Sequence, residues 1–168
     1  MRRYYGDFGE AFFSRIASNI RRGIYRYVGK GSGRIVYDMG NGLVVKEAKN
    51  LKGIAQNMEE YRIALVDDSG FLARVRDVSD DYRFLIMDKV ERFNDIYPVW
   101  KYFHVGSNKE LFQVEVLRYI SEKYNLLIGD LGRASNWGSR DGRPVIIDYG
   151  FTRQVKRRYY SADSGRRR

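Results

Sequence analysis

Apolar and polar positions in this chain repeat at two periods, and each change of period marks a new element. Over residues 8–24 the apolar positions Phe8, Ala11, Phe12, Ile16 and Ile20 show the three-to-four spacing of a helical face, and Gly23 suits its end. The period then falls to two. Residues 24–28, 34–39 and 43–48 read as strands, separated by a turn holding Gly29, Gly31 and Gly33 and by an Asn41-Gly42 hairpin of the primed-turn kind. Residues 53–66 return to helical spacing at Ile54, Met58, Tyr61 and Leu65, until Asp67-Asp68-Ser69-Gly70 ends the run. An antiparallel pair, 71–78 and 82–87, joined at Ser79-Asp80-Asp81, would complete five strands. Residues 94–105 hold a short helix with Pro98 near its start. The strongest helical pattern covers 108–124, with Leu111, Phe112, Val114, Glu115, Leu117, Arg118 and Ile120 on a broad inward face. Last comes an apolar run into Asp130, a polar loop ending at Asn136, and a hairpin turning at Asp141-Gly142 whose second strand, 144–147, delivers Asp148.

Composition narrows the classes. A chain of 168 residues is one domain or two small lobes, and 43% hydrophobic residues suffice for a core. No run approaches the ~18 apolar residues of a membrane helix, and the N-terminal stretch, broken by Gly, Asp and Glu, is no secretory signal. The expected location is therefore the cytoplasm. With no cysteine and a single histidine, His104, disulfides, thiol chemistry and Cys- or His-built metal clusters are excluded. The net charge of +10 sits partly at Arg2-Arg3, Arg21-Arg22, Lys156-Arg157-Arg158 and Arg166-Arg167-Arg168. Such arms either attract nucleic acid non-specifically through its phosphates or are simply solvated.

The polar residues inside this framework carry the candidate chemistry. Gly29, Gly31 and Gly33 let backbone N–H groups and Ser32 approach an anion closely. The spacing is not that of a Walker loop, and no helix follows. Lys46 lies within an apolar strand, where a buried ammonium needs an anionic partner. The helix over 53–66 offers Glu59 and Glu60, and Glu60 is the better partner because Gln56, Ile63 and Ala64 share its stripe. The second hairpin brings Asn136 and Asp148 to one end, where their oxygens suit a hard cation such as Mg²⁺, with Asp130 nearby.

Asp130 and Asn136 followed by Asp148-Tyr149-Gly150 resemble the catalytic loop and Asp-Phe-Gly element of protein kinase-like enzymes, and Val44-Val45-Lys46 resembles their strand lysine. The resemblance runs over residues 24–155. Three features depart from it: Ile128-Gly129 replaces His-Arg, Arg34 stands where a third motif glycine is usual, and six positions rather than five separate Asp130 from Asn136. The last departure leaves Ser135, Asn136 or a rearranged loop to meet the metal. The resemblance implies a two-lobed α+β fold in a single domain, 1–168. Residues 1–87 would form a lobe of five antiparallel strands with a helix, 88–155 a reduced, mostly helical lobe, and 156–168 a basic tail.

It also implies roles. Lys46, held by Glu60, would orient the phosphates of ATP under the loop of Gly29, Gly31, Ser32 and Gly33. The backbone from Met87 to Lys89 would meet the adenine edge. Asp148 and Asn136 would hold Mg²⁺, and Asp130 would position or deprotonate the acceptor hydroxyl. Eighteen residues follow Gly150, too few for an activation segment and peptide-binding helices, and in this the chain resembles RIO-type kinases and the small kinase-like proteins of phages. A phage protein would work in the host cytoplasm. The expected function is Mg-ATP-dependent phosphotransfer to protein Ser/Thr, to a small molecule, to water, or to the chain's own Tyr159, Tyr160, Ser161 or Ser164. The alternatives are a pseudokinase that binds nucleotide or a partner, and a basic nucleic-acid-binding module.

Overall fold

The computed structural model describes residues 8–160. Helical spacing at the start builds α1, Glu10–Arg21, and Gly23 ends it at a left-handed φ of 67°. Five strands and a second helix follow: β1 Arg26–Lys30, β2 Arg34–Asp38, β3 Leu43–Ala48, α2 Leu51–Ala64, β4 Val75–Val78 and β5 Phe84–Asp88. Their sheet is antiparallel throughout, in the order β1-β2-β3-β5-β4. The fold is α+β, with the five-stranded antiparallel sheet that the sequence implies.

Alternation along β3 gives this sheet two different faces. Val45 joins Phe13 and Ile16 of α1 with Phe84 and Ile86 in an apolar cluster. Lys46 faces the other way, toward α2. That helix begins at Asn50, whose side chain accepts from Gly53 N at 3.1 Å. The expected apolar stripe of α2 is not its buried face, since Met58 and Leu65 are exposed whereas Gln56, Asn57, Glu60 and Ile63 are buried. Polar partners on the strands, described below, make a polar face the stable one.

The chain divides into two compact units. The first runs to Val66 and includes Arg74–Lys89, and the second comprises Asp67–Ala73 and everything from Val90. The boundary thus falls after Lys89 rather than after residue 87, and the expected strand over 71–78 is split. Its first part pairs in the second unit, where Ala73 N donates to Ile146 O at 2.9 Å and Ile146 N to Phe71 O at 2.7 Å. The Tyr124 hydroxyl, whose pKa burial and the Asp67 carboxylate push up to about 12, stays protonated and donates to Asp67 at 3.0 Å.

The second unit holds β6 Glu91–Arg92, α3 Tyr97–Phe103, α4 Asn108–Leu111, α5 Glu115–Lys123, β7 Trp137–Arg140, β8 Arg143–Ile146 and α6 Arg153–Tyr159. A three-stranded sheet, β6-β7-β8, accompanies the helices, and its edge strand β6 was not expected. The single helix expected over 108–124 is two. Leu111 and Leu117 are both fully buried, yet six residues of unbroken helix would set them about 240° apart. Breaking the helix at Val114, which is extended at φ −62° and ψ 121°, turns both inward and leaves Glu115 and Arg118 outside the core.

The basic tail expected from residue 156 begins as structure, since Lys156, Arg157 and Arg158 belong to α6, which is anchored by buried Val155. Arg2-Arg3, Ser161, Ser164 and Arg166-Arg167-Arg168 lie outside the described residues. Among those described, no helix is long and apolar enough to cross a membrane.

Gly33 and Gly53 pack backbone against backbone: a Cβ on Gly33 would come within 2.7 Å of Gly53 N, and one on Gly53 would strike Gly33 O. Gly53→Ala should therefore destabilise the protein by roughly 1–3 kcal/mol, well beyond any gain in helix propensity. Urea unfolding followed by circular dichroism measures this, and an unchanged midpoint would show that the contact relaxes freely.

Candidate functional site

Lys46 lies on β3, the middle strand of the first sheet, with Val36 and Leu85 as its neighbours in register. Its Nζ is 2.9 Å from each oxygen of Glu60, which α2 presents with no exposed surface. Glu60 is the partner the sequence favoured. Glu59 pairs instead with Arg62 on an exposed stretch of the same helix.

Two further residues complete this cluster, and neither was anticipated as part of it. Arg34, noted in the sequence only as a departure from the glycine motif, is buried and donates from Nη1 to Glu60 Oε2 at 2.6 Å and to Asn57 Oδ1 at 3.1 Å. Fully buried Asn57 donates to Tyr82 O at 2.9 Å, and to Lys46 O and Arg83 O at 3.3 Å. Asn at the third position before a helical Glu, on the stripe facing a strand lysine, was a usable signal.

The glycine segment is tied down rather than open along its whole length. Gly29 lies within β1, and Gly31 N donates to Arg34 O at 2.9 Å. On the far side Asn50 Nδ2 donates to Ser32 O at 3.1 Å and Lys49 N to Gly33 O at 2.8 Å. Gly33 is thus required by its contact with Gly53, whereas a side chain on Gly31 would meet open space. The hairpin after it is also not the two-residue turn expected at Asn41-Gly42. Met39 N donates to Leu43 O, enclosing three residues, with left-handed φ at Gly40 and Gly42.

Met87 and Lys89, expected to offer backbone to an adenine edge, are partly committed elsewhere. Met87 is buried in β5 between Val44 and Val75. Asp88 N donates to Arg74 O and Lys89 N to Gly42 O, both at 2.9 Å, while Lys89 Nζ pairs with Asp38 at 2.8 Å. Two of the expected donors are therefore already used by the sheet.

In the second unit the hairpin forms as the sequence predicts. Asp141 and Gly142 adopt φ of 52° and 76° between β7 and β8, with Arg140 opposite Arg143. Register then sets the other end: Trp137 pairs with Ile146, and Ile147 N donates to Asn136 O at 2.9 Å. Asp148 is one residue beyond. The loop around Asp130 is formed by two 3-10 segments, Ile128–Gly132 and Ala134–Asn136. It closes where Asn136 Nδ2 donates to Asp130 O at 2.9 Å. That bond sets Oδ1 on the opposite side of the amide. Asn136, rather than exposed Ser135, stands at the hairpin's mouth.

Asp130 is half-buried, with Arg133 Nε 3.6 Å from its Oδ1. Burial and the Asp148 carboxylate raise its pKa, while Arg133 and Lys156 oppose that shift. No cluster of three or more acidic or histidine side chains that could hold a metal occurs among the described residues. Asp148 and Asn136 bring a carboxylate and an amide to the open end of the hairpin, two oxygen-bearing side chains of the kind a hard cation takes alongside phosphate and water. Tyr149 is buried and donates to Ala73 O at 2.8 Å, fixing the residue after Asp148.

No protein-family model matches the chain, and no curated protein matches it. Solved structures do match. One, described as the streptomycin-ATP-APH(2")-IIa ternary complex, aligns over 86% of this chain and 71% of that one at 17% identity, with a TM-score of 0.47. At that identity and score the likeness bears on neither activity nor substrate.

A raised carboxyl pKa has a defined sign in stability. Asp130 binds its proton more tightly folded than unfolded, so its contribution is fully favourable below the ordinary carboxylate range and is lost as pH rises through its folded pKa. Asp130→Asn should therefore raise the melting temperature at neutral pH, and the gain should shrink on acidification toward pH 4. Melting curves across that range decide it, and a variant less stable than wild type at pH 7 would contradict the assignment.

Proposed function

We propose that this protein is a Mg-ATP-dependent phosphotransferase of the protein kinase-like class, a minimal member of the kind represented by RIO-type and small phage-encoded kinases. The observation that carries the reading is the Lys46–Glu60 pair, with both oxygens of a fully buried glutamate at 2.9 Å from a strand lysine. Sheet stability alone does not call for such a pair, because removing charges from water costs several kcal/mol each, and apolar residues of similar volume would often serve the sheet as well. An ammonium held in this way is oriented for an anionic ligand.

The remaining roles follow from the chemistry of each group. Lys46 would bind ATP phosphates, with the backbone of Gly29, Gly31, Ser32 and Gly33 beside it and Met87 to Lys89 lining the base. Asp148 and Asn136 would hold Mg²⁺, which neutralises charge developing on the transferred phosphoryl group. Asp130, with a raised pKa and its carbonyl bonded to Asn136, would accept the proton of the attacking hydroxyl. The acceptor would be a small molecule or a protein hydroxyl, and the exposed cations of α6 would add non-specific attraction for nucleic acid.

Three substitutions separate these roles. Lys46→Ala should lower Mg-ATP affinity and turnover sharply with little loss of fold. Asp148→Asn should abolish the Mg²⁺-dependent part of ATP binding. Asp130→Asn should leave Mg-ATP binding intact while transfer falls by roughly 10²- to 10⁴-fold. Nucleotide titrations with and without Mg²⁺, paired with turnover of labelled ATP, supply the readouts. If all three variants bind and turn over like wild type, the reading is wrong; binding without any turnover in wild type would make the protein a pseudokinase.

A further inference from the structure

Glu60 has no exposed surface, yet two cations converge on it: Lys46 contacts both oxygens at 2.9 Å, and Arg34 contacts Oε2 at 2.6 Å. The register explains the convergence. Arg34 lies opposite Ala48 and Val36 opposite Lys46, so the two cationic side chains share one face on adjoining strands. We propose that Arg34 is a positioning residue for Lys46: it holds Glu60 compensated, so that Lys46 can yield part of its contact with that carboxylate to the phosphates of a nucleotide. The inference rests on the phosphotransferase reading and assigns a role that this reading leaves unfilled.

The physical need is simple. A buried carboxylate with one cationic partner resists lending it, because partial loss of the partner leaves a charge in a low-dielectric site. A second, permanently charged partner removes that resistance, and a guanidinium, which does not deprotonate, suits the task better than a second ammonium. Arg34 is itself held. Its Nη1 also reaches Asn57 Oδ1 at 3.1 Å, and Asn57 is anchored to Tyr82 O at 2.9 Å. The Arg34 carbonyl, meanwhile, accepts from Gly31 N at 2.9 Å. One residue thus joins the end of the glycine turn to the glutamate that aims the lysine.

The test is a cycle built from Arg34→Met, Glu60→Gln and the double variant, with Arg34→Lys as the conservative control. Mg-ATP affinity, KM and kcat are measured together with melting temperature. Arg34→Met should weaken Mg-ATP binding roughly tenfold, through KM more than kcat. Arg34→Lys should recover most of that loss, and Arg34→Met should add little once Glu60 is already Gln. Affinity unchanged in Arg34→Met, or an equal penalty in the Glu60→Gln background, overturns the assignment. If Arg34→Met does not fold, Arg34→Gln, which keeps a donor without the charge, takes its place under the same criteria. Failure of wild type to bind Mg-ATP would sink the phosphotransferase reading and this inference together; normal binding with an indifferent Arg34 variant removes Arg34 alone.

Discussion

A single buried carboxylate, Glu60, organises the first unit. Its charge is tolerable only where cations and hydrogen-bond donors converge, and the local fold supplies them: β3 brings Lys46, β2 brings Arg34, and α2 presents Glu60 with Asn57 one turn earlier. Satisfying that group fixes which face of α2 turns inward, even at the expense of leaving Met58 and Leu65 in water. The apolar core is built on the opposite face of the sheet by Phe13, Ile16, Val45, Phe84 and Ile86. The Lys46 face also buries Leu85, Met87 and Ile63, so the charged cluster is enclosed by apolar side chains rather than by water.

What the sequence made legible was local. The Asp141-Gly142 turn formed with both residues at positive φ, β3 kept its expected limits, and the pairing of Lys46 with Glu60 rather than Glu59 followed from helical stripe geometry. Each depends on neighbours within a few residues or on one periodic face. The features that were missed are settled by residues far apart in the chain. Arg34 reads as an interrupted motif until Glu60, twenty-six positions later, is seen to accept from it. The contact of Gly33 with Gly53, twenty positions later, is likewise invisible until the two backbones are seen together. The break at Val114 depends on where Leu111 and Leu117 must point, which no helical wheel drawn over one unbroken helix reveals.

In the second unit the stretch from Asp130 to Asn136 runs through consecutive 3-10 segments, and Asn136 arrives beside Ile147 at the open end of the hairpin. Its amide also bonds the Asp130 carbonyl, so the candidate base and the candidate metal ligand are braced by one contact. The raised pKa of Asp130 follows from being half-buried near a second carboxylate, a condition that costs stability at neutral pH.

Tyr149 and Thr152 hold the chain on either side of Gly150 and Phe151. The Tyr149 hydroxyl is fixed to Ala73 O, and Thr152 bridges to Leu126 while capping α6. The segment leaving Asp148 is therefore moored within four residues, at Tyr149 and again at Thr152. On the phosphotransferase reading proposed above, Asp148 would be set in place by folding itself, with no separate ordering of this segment required.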